Sequence, residues 1–181
     1  MKFPQKCVVD TNIPIVANLI RHPDPDSDVD DDLILNCIDA IEHIRKNKAL
    51  VLDDNDVIFN QYSENISRHI QNRFGNLGSG DHFYIWVRDN RFSFPREDRV
   101  TVTKKDDSYV EFPSSEEFKN FDPSDKIFIA VANKHKDKPT VLQGTDSKWW
   151  GYKEIFEAIG INILFLCPEY VERKYYKKVK E

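Results

Sequence analysis

The sequence predicts a single α/β domain in which helices cover both faces of a mostly parallel sheet. Short apolar segments alternate with segments that repeat apolar residues every three to four positions, an order typical of parallel sheets. The length of 181 residues suits one domain, and neither a linker nor an internal repeat divides it, so the predicted domain spans residues 1–181. With 40% hydrophobic and 12% aromatic residues, the chain can build a substantial core.

The first half of the chain predicts the order β-α-α-β-α-α. Residues 6–9 form a short buried strand, and the helix after it carries Pro14 in its first turn, where proline is tolerated. Glycines at 75, 78 and 80 predict a flexible turn, because no phosphate-binding Lys-Ser or Lys-Thr pair follows them. The other predicted elements of this half are helices over 13–21, 33–47, 57–74 and 81–90, and a strand over 49–52.

The second half continues the alternation of strands and helices. Residues 100–103 alternate as a strand should, whereas residues 104–121 are polar and receive no predicted structure. Asp122 or Ser124 caps the next helix. The predicted elements that follow are a helix over 123–134, a strand over 139–142, a helix over 152–159 and a buried strand over 161–166.

Composition excludes several functional classes. A net charge of −5 argues against a protein that coats nucleic acid by bulk electrostatics, so any such contact must come from local basic patches. No apolar run approaches the roughly 20 residues of a membrane helix, and the N-terminus does not resemble a signal peptide, so we expect a cytoplasmic protein without a membrane partner. Cys7, Cys37 and Cys167 are predicted to be buried free thiols.

Residues 24–32 contain six aspartates in nine positions. This run predicts a solvated loop whose last acids lie at the N-terminus of the following helix, where the helix dipole favours negative charge. A metal site is the alternative, but like charges in a row stay extended in water.

Four other carboxylates lie far apart in the sequence at the ends of predicted core elements. They are Asp10, Glu64, Asp125 and Asp146. The ligand sites of parallel sheets lie outside the carboxyl ends of the strands, and Asp10 and Asp146 both follow strands. Converged carboxylates repel one another and favour a hard divalent cation. The pattern therefore predicts metal-assisted hydrolysis of a phosphodiester.

Three segments resemble PIN-domain nucleases. Asp10-Thr11-Asn12 resembles the opening motif of the family, Asp125 before the apolar run 127–132 resembles its third-acid helix, and Gly144-Thr145-Asp146 resembles its last strand-to-loop element. The ordered resemblance covers nearly the whole chain and includes residues 78–83 and 165–168, which are similar to an uncharacterised bacterial or archaeal PIN-like subgroup.

The resemblance implies a three-layer α/β/α sandwich and an endoribonuclease that uses Mg²⁺ or Mn²⁺. It implies that Asp10, Asp125 and Asp146 are metal ligands and that Asn12 and Thr145 are supporting polar groups. It also implies a role as a toxin or a phage-defence effector, with a regulatory protein partner and a homodimer as further expectations.

One position departs from the pattern of the subgroup, which usually has a glutamate where this chain has Gln61. Three interpretations stay open: Glu64, one helical turn further on, replaces the missing acid; three aspartates suffice with a neutral oxygen from Gln61; or Gln61 weakens metal binding and silences the enzyme. The last interpretation supports an alternative function, a PIN-fold binding or regulatory module without catalysis.

Substrate binding requires cations and aromatic rings. Lys148 follows Asp146 and either contacts phosphate or is merely solvated, and Trp150 is predicted to line the cleft whereas Trp149 is predicted to lie in the core. The C-terminal tail interleaves tyrosines with cations and either binds single-stranded RNA or forms a solvated, partly helical tail. A DNA substrate stays open, because the same metal ions cut either polymer. The candidate cations are Arg68, Arg73, Arg88, Arg91, Arg96, Arg99, Lys134, Lys136, Lys138, Arg173, Lys174, Lys177, Lys178 and Lys180.

Overall fold

The computed structural model describes residues 1–67, 70 and 75–180. Its strands are β1 (Cys7–Val9), β2 (Leu52–Asp53), β3 (Arg99–Val100), β4 (Lys104–Lys105), β5 (Ser108–Tyr109), β6 (Thr140–Gln143) and β7 (Ile163–Phe165). Within the described residues we label the α-helices α1 (Asn12–Ala17), α2 (Asp31–Asn47), α3 (Val57–Tyr62), α4 (Ser79–Asn90), α5 (Lys126–Lys134), α6 (Lys153–Ala158) and α7 (Pro168–Val179). A π-helical turn, Ser63–Ser67, continues α3, and short 3₁₀ turns span Arg91–Ser93, Arg96–Asp98, Glu116–Phe118 and Ser147–Tyr152.

The fold is mixed α/β around a small parallel sheet. Three strands pair in the order β1-β6-β7, with Val9 opposite Leu142 and Gln143 opposite Phe165. The amide of Cys7 on β1 donates to the carbonyl of Ala49 at 2.8 Å. The segment that begins at Ala49 continues into β2, which pairs in parallel with β3. The coarser part of the prediction, an α/β fold with a parallel sheet, is thus confirmed.

Helices α5 and α1 both contact strands of this sheet. Helix α5 lies against β1 and β6, and its residues 127–132 are all buried. Helix α1 packs against both α2 and α4. A Cβ atom at Gly80 would lie 1.8 Å from the carbonyl oxygen of Pro14, so only glycine permits this close approach of α4 to α1. Gly78 and Gly80, predicted to form a flexible turn, therefore begin a packed helix.

Several predicted boundaries move. Helix α1 ends at Ala17 rather than at residue 21, and α5 begins at Lys126 rather than at residue 123. Within the predicted helix 57–74, residues 68, 69 and 71–74 lie outside the described residues, together with the candidate cations Arg68 and Arg73.

Residues 104–121, for which the sequence predicts no regular structure, contain a β-hairpin and an aromatic cluster. Strands β4 and β5 pair antiparallel. Phe118 and Phe121 are both at most 3% exposed, and their ring centroids lie 4.8 and 5.4 Å from that of Phe156 on α6. The polar composition of the segment concealed these buried rings.

The C-terminal residues form helix α7 and dock on the aspartate-rich loop. The hydroxyl of Tyr170 and the ammonium group of Lys174 each donate to Asp28 Oδ1 at 2.8 Å, and Arg173 donates to Asp30 at 3.0 Å. Asp31 lies in the first turn of α2, as predicted. Tail cations therefore hold the acidic loop, an arrangement that the sequence did not indicate.

The predicted burial of the cysteines is wrong for one of the three. Cys7 and Cys37 are buried free thiols, but Cys167, which directly precedes α7, is partly exposed. Burial raises the pKa of the Cys7 thiol to about 12 and shifts that of Cys37 further upward, so both stay protonated. None of the helices in the described part of the chain combines the length and the apolar character needed to cross a membrane.

Candidate functional site

Parallel pairing brings Asp10 and Asp146 to one edge of the sheet. Asp10 follows β1, and its amide donates to the carbonyl of Leu142 on β6 at 3.0 Å. Asp146 lies three residues beyond the end of β6 and opens the 3₁₀ turn Ser147–Tyr152. Since the carboxyl ends of parallel strands meet at the same edge, acids distant in sequence become neighbours there.

Asp125 reaches the same place from the N-terminus of α5. It occupies the N-cap position but makes no capping hydrogen bond with its side chain. Instead, the indole N–H of Trp149 donates to its Oδ2 at 2.9 Å. Trp149 is 1% exposed, so this bond fixes the carboxylate against a rigid core group. The sequence correctly predicts that Trp149 lies in the core, but it does not indicate the contact with Asp125.

The electrostatics of the site show that the three aspartates lie close enough to interact. Burial, then repulsion by Asp125 and by Asp146, raises the pKa of Asp10 to about 7, although hydrogen bonds from Asn12 oppose the shift. Burial and repulsion by Asp146 likewise raise the pKa of Asp125 to about 6, against the bond from Trp149. The charge of Asp146 therefore disfavours ionisation of Asp10 and Asp125, and the charge of Asp125 disfavours that of Asp10.

Hydrogen bonds orient the three carboxylates without neutralising them. The backbone amide of Asn12 donates to Asp10 Oδ2 at 3.2 Å, and the backbone amide of Lys148 donates to Asp146 Oδ1 at 2.9 Å. Within the described ranges, neither lysine nor arginine forms an ion pair with Asp10, Asp125 or Asp146. As the side chains stand, no three or more His, Cys, Asp or Glu groups of the described chain are arranged to hold a metal ion.

Gln61, rather than Glu64, lies at this site. Its amide nitrogen donates to the carbonyl of Ser124 at 2.8 Å, and its amide oxygen accepts from the Thr11 hydroxyl at 3.2 Å. These partners are the chain neighbours of Asp125 and Asp10. Glu64 is exposed on the π-helical turn, and none of the described residues gives it a hydrogen bond or an ion pair. The structure therefore gives no support to the replacement of the missing acid by Glu64.

The two residues predicted to support the site, Asn12 and Thr145, differ in whether they contact it. Asn12 contacts Asp10 directly, whereas Thr145 is half-buried between Gly144 and Asp146 and has no hydrogen bond to a described residue.

The two predicted substrate-binding residues also differ. Lys148 is exposed, and its ammonium group lies 3.8 Å from Asp122 Oδ2. Trp150 packs against Phe165 of β7, with ring centroids 5.2 Å apart, and Lys153 lies over its face.

Two further residues, which the sequence does not single out, shape the site. The buried hydroxyl of Tyr62 donates to the carbonyl of Val9 at 2.6 Å and so fixes the backbone directly before Asp10. Gln143, which is fully buried, accepts from the amide of Gly144 at 2.7 Å and from that of Asp146 at 3.4 Å. Gln143 is a polar residue at the end of a buried strand, and that position was the available signal for it.

No family model matches this chain, and comparisons with curated proteins and with solved structures likewise find no match.

Proposed function

We propose that this chain is a metal-dependent endoribonuclease. The observation that carries the proposal is a cluster of three interacting carboxylates, two with raised pKa values, that has no cationic partner among the described residues. Uncompensated buried charge is costly, and such cost concentrates at functional sites. A divalent cation between Asp10, Asp125 and Asp146 would offset both the burial and the repulsion that raise the pKa values of Asp10 and Asp125.

The chemistry of the donor set suits Mg²⁺ or Mn²⁺, although the side chains would have to turn toward one another to share an ion. All three side chains offer oxygen, the ligand that hard cations prefer, and each belongs to a different chain segment held by its own hydrogen bond. When bound, the metal supplies Lewis-acid catalysis by stabilising charge on the phosphodiester and making water more acidic. Asn12 and Trp149 hold Asp10 and Asp125 in position, and Gln61 offers a neutral oxygen next to them.

The resemblance to PIN-domain nucleases supports RNA as the substrate and a three-layer α/β/α arrangement as the finer description of the fold. The site at the carboxyl edge of the sheet agrees with that family pattern. Lys148 contributes a cation at the border of the site, where a phosphate of the substrate would approach. The toxin or phage-defence role, the regulatory partner and the homodimer stay predictions that rest on the resemblance alone.

A second candidate is a nucleic-acid-binding module without catalysis. It is favoured by Gln61, which uses both its amide groups in hydrogen bonds to Thr11 and Ser124. A position held in this way needs no charge. Such a module would bind RNA but would gain no cleavage from added metal.

Cleavage assays on short labelled oligonucleotides distinguish the candidates. With Mn²⁺, we expect cleavage of single-stranded RNA, which EDTA abolishes and Asp125→Asn reduces by about 100-fold because one ligand charge is lost. Glu157→Gln, which alters an exposed acid away from the site, is the matched control and keeps wild-type activity. A parallel DNA substrate tests polymer preference. RNA binding without Mn²⁺-dependent cleavage would establish the second candidate instead.

A further inference from the structure

A cavity of about 550 Å³ opens beside Asp125, in the size range of small-ligand sites. It lies between the segment before α5, the 3₁₀ turn Ser147–Tyr152 and the end of α7. Four aromatic residues from these three segments line it, namely Phe121, Trp149, Tyr152 and Tyr175. Phe121 and Trp149 are buried and form a rigid floor, whereas Tyr152 and Tyr175 are half-buried and keep ring surface for a ligand.

The cavity is continuous with the carboxylate site. Asp125 lines it, and Trp149, a lining residue, donates its indole N–H to that carboxylate. A polymer whose phosphate approaches the carboxylates therefore has a neighbouring unit within reach of the aromatic walls.

Helix α7 brings Tyr175 to the cavity and is held there from two sides. The bonds of Tyr170 and Lys174 to Asp28 attach the helix to the acidic loop. On the other side, a Cβ atom at Gly151 would lie 2.7 Å from the Tyr175 hydroxyl, so the absence of a side chain lets the ring pack onto the 3₁₀ turn.

The charges around the cavity indicate what kind of group it accepts. Lys148 and Lys178 line it together with the acids Glu117 and Asp122, and Lys148 lies 3.8 Å from Asp122. This mixed rim does not favour a phosphate inside. A nucleobase is uncharged, presents a flat π face to tyrosine rings, and can leave its phosphates at the rim near Lys178.

We propose that this cavity binds an unpaired nucleobase of a single-stranded RNA, stacked on Tyr152 and Tyr175. The inference rests on the proposed function, because it assigns the substrate of that site. It also assigns a role to the aromatic and cationic end of α7: the helix supplies one wall of the substrate cleft.

Anisotropy of a fluorescein-labelled 12-nucleotide single-stranded RNA in EDTA measures this contact without cleavage. Tyr175→Ala should raise the Kd by about tenfold, the range of one lost base stack, whereas Tyr175→Phe should bind like the wild type. Tyr176→Ala is the matched control, because Tyr176 is the adjacent tyrosine, 51% exposed, and does not line the cavity. Gly151→Ala, which displaces the Tyr175 ring while leaving it intact, should weaken binding in the same direction.

An abasic ribose-phosphate 12-mer separates base stacking from phosphate binding. The wild type should prefer RNA to this polymer by about tenfold, and Tyr175→Ala should lose most of that preference. Circular dichroism melts confirm that each variant is folded. Equal affinity of the wild type for both polymers, or equal Kd values for Tyr175→Ala and Tyr176→Ala, would overturn the inference.

The two proposals fail separately. RNA binding in EDTA tests the base-binding cavity whether or not Mn²⁺ brings cleavage. An absence of cleavage would contradict only the proposal that the protein is a nuclease. Conversely, Mn²⁺-dependent cleavage with an unchanged KM in Tyr175→Ala would leave the nuclease standing and remove the base site.

Discussion

Two acidic regions of this chain differ in their exposure and in the direction in which their pKa values are shifted. The loop over residues 24–32 concentrates six aspartates, all exposed, and two of them are held by cations of α7. The carboxylate site draws three aspartates from distant segments, and Asp10 is only 3% exposed. Hydrogen bonds from Lys174 and Tyr170 lower the pKa of Asp28, whereas burial and mutual repulsion raise those of Asp10 and Asp125.

The difference shows that the density of acids in a sequence is a poor guide to where carboxylates are buried together in the fold. Neighbouring aspartates on a solvated loop can turn apart, and water and lysines screen them. Aspartates fixed at the ends of buried strands and helices cannot separate without unfolding, so their repulsion persists in the metal-free protein. On the proposed function, this site is a place where stability is given up for metal binding.

The largest expected effect is the pH dependence of the metal-free protein. The pKa of Asp10 is raised from 3.8 to about 7 in the folded protein. Between these pH values the folded protein keeps a proton on Asp10 that the unfolded chain releases. The free energy of unfolding should therefore fall as pH rises from about 4 to about 7, and Asp10→Asn should be more stable than the wild type at pH 8 by about 2 kcal/mol. Urea denaturation in EDTA across this pH range measures both quantities.

Asp26→Asn is the matched control, because Asp26 lies in the acidic loop and its side chain has no bond to a described residue. It should leave the pH profile unchanged. An Asp10→Asn profile parallel to that of the wild type would mean that the two acidic regions do not differ in the way proposed.

Gln61→Glu sharpens the comparison by adding a fourth carboxylate to the buried site. The new oxygen would face the Ser124 carbonyl, where the Gln61 amide donates at 2.8 Å, so the metal-free protein should lose about 1–2 kcal/mol of stability. With Mn²⁺, the added charge should tighten metal binding and raise RNA cleavage. Thermal melts with and without Mn²⁺, together with cleavage rates, test both effects.

Gln61→Ala controls for loss of the amide alone and should destabilise the protein without a gain from Mn²⁺. An unchanged cleavage rate in Gln61→Glu would remove position 61 from the mechanism, and a loss of cleavage in Glu64→Gln would then return the role to Glu64.

Sequence reasoning reached as far as local patterns allow. The apolar segments before Asp10 and Asp146 predict that both acids lie at the carboxyl edge of the sheet. This prediction needs only short apolar strands and the rule that the carboxyl ends of parallel strands meet at one edge. The bond from Trp149 to Asp125 depends on how the turn after β6 packs on α5, and the docking of α7 depends on contacts more than 140 positions apart in sequence. No periodicity encodes such pairings, so they became visible only in the fold.

The smallest expected effect concerns the exposed region. Asp28→Asn should weaken the bonds from Tyr170 and Lys174, yet an exposed pair contributes little, so we expect a loss below about 1 kcal/mol in urea denaturation. Because the lowered pKa of Asp28 adds stability only above its folded-state value, the difference from the wild type should vanish as pH falls through that value, opposite to the trend of Asp10. High salt should likewise erase it. A loss of several kcal/mol that persists in salt would show that the loop carries structural charge of the same kind as the buried site, and the contrast between the two regions would no longer hold.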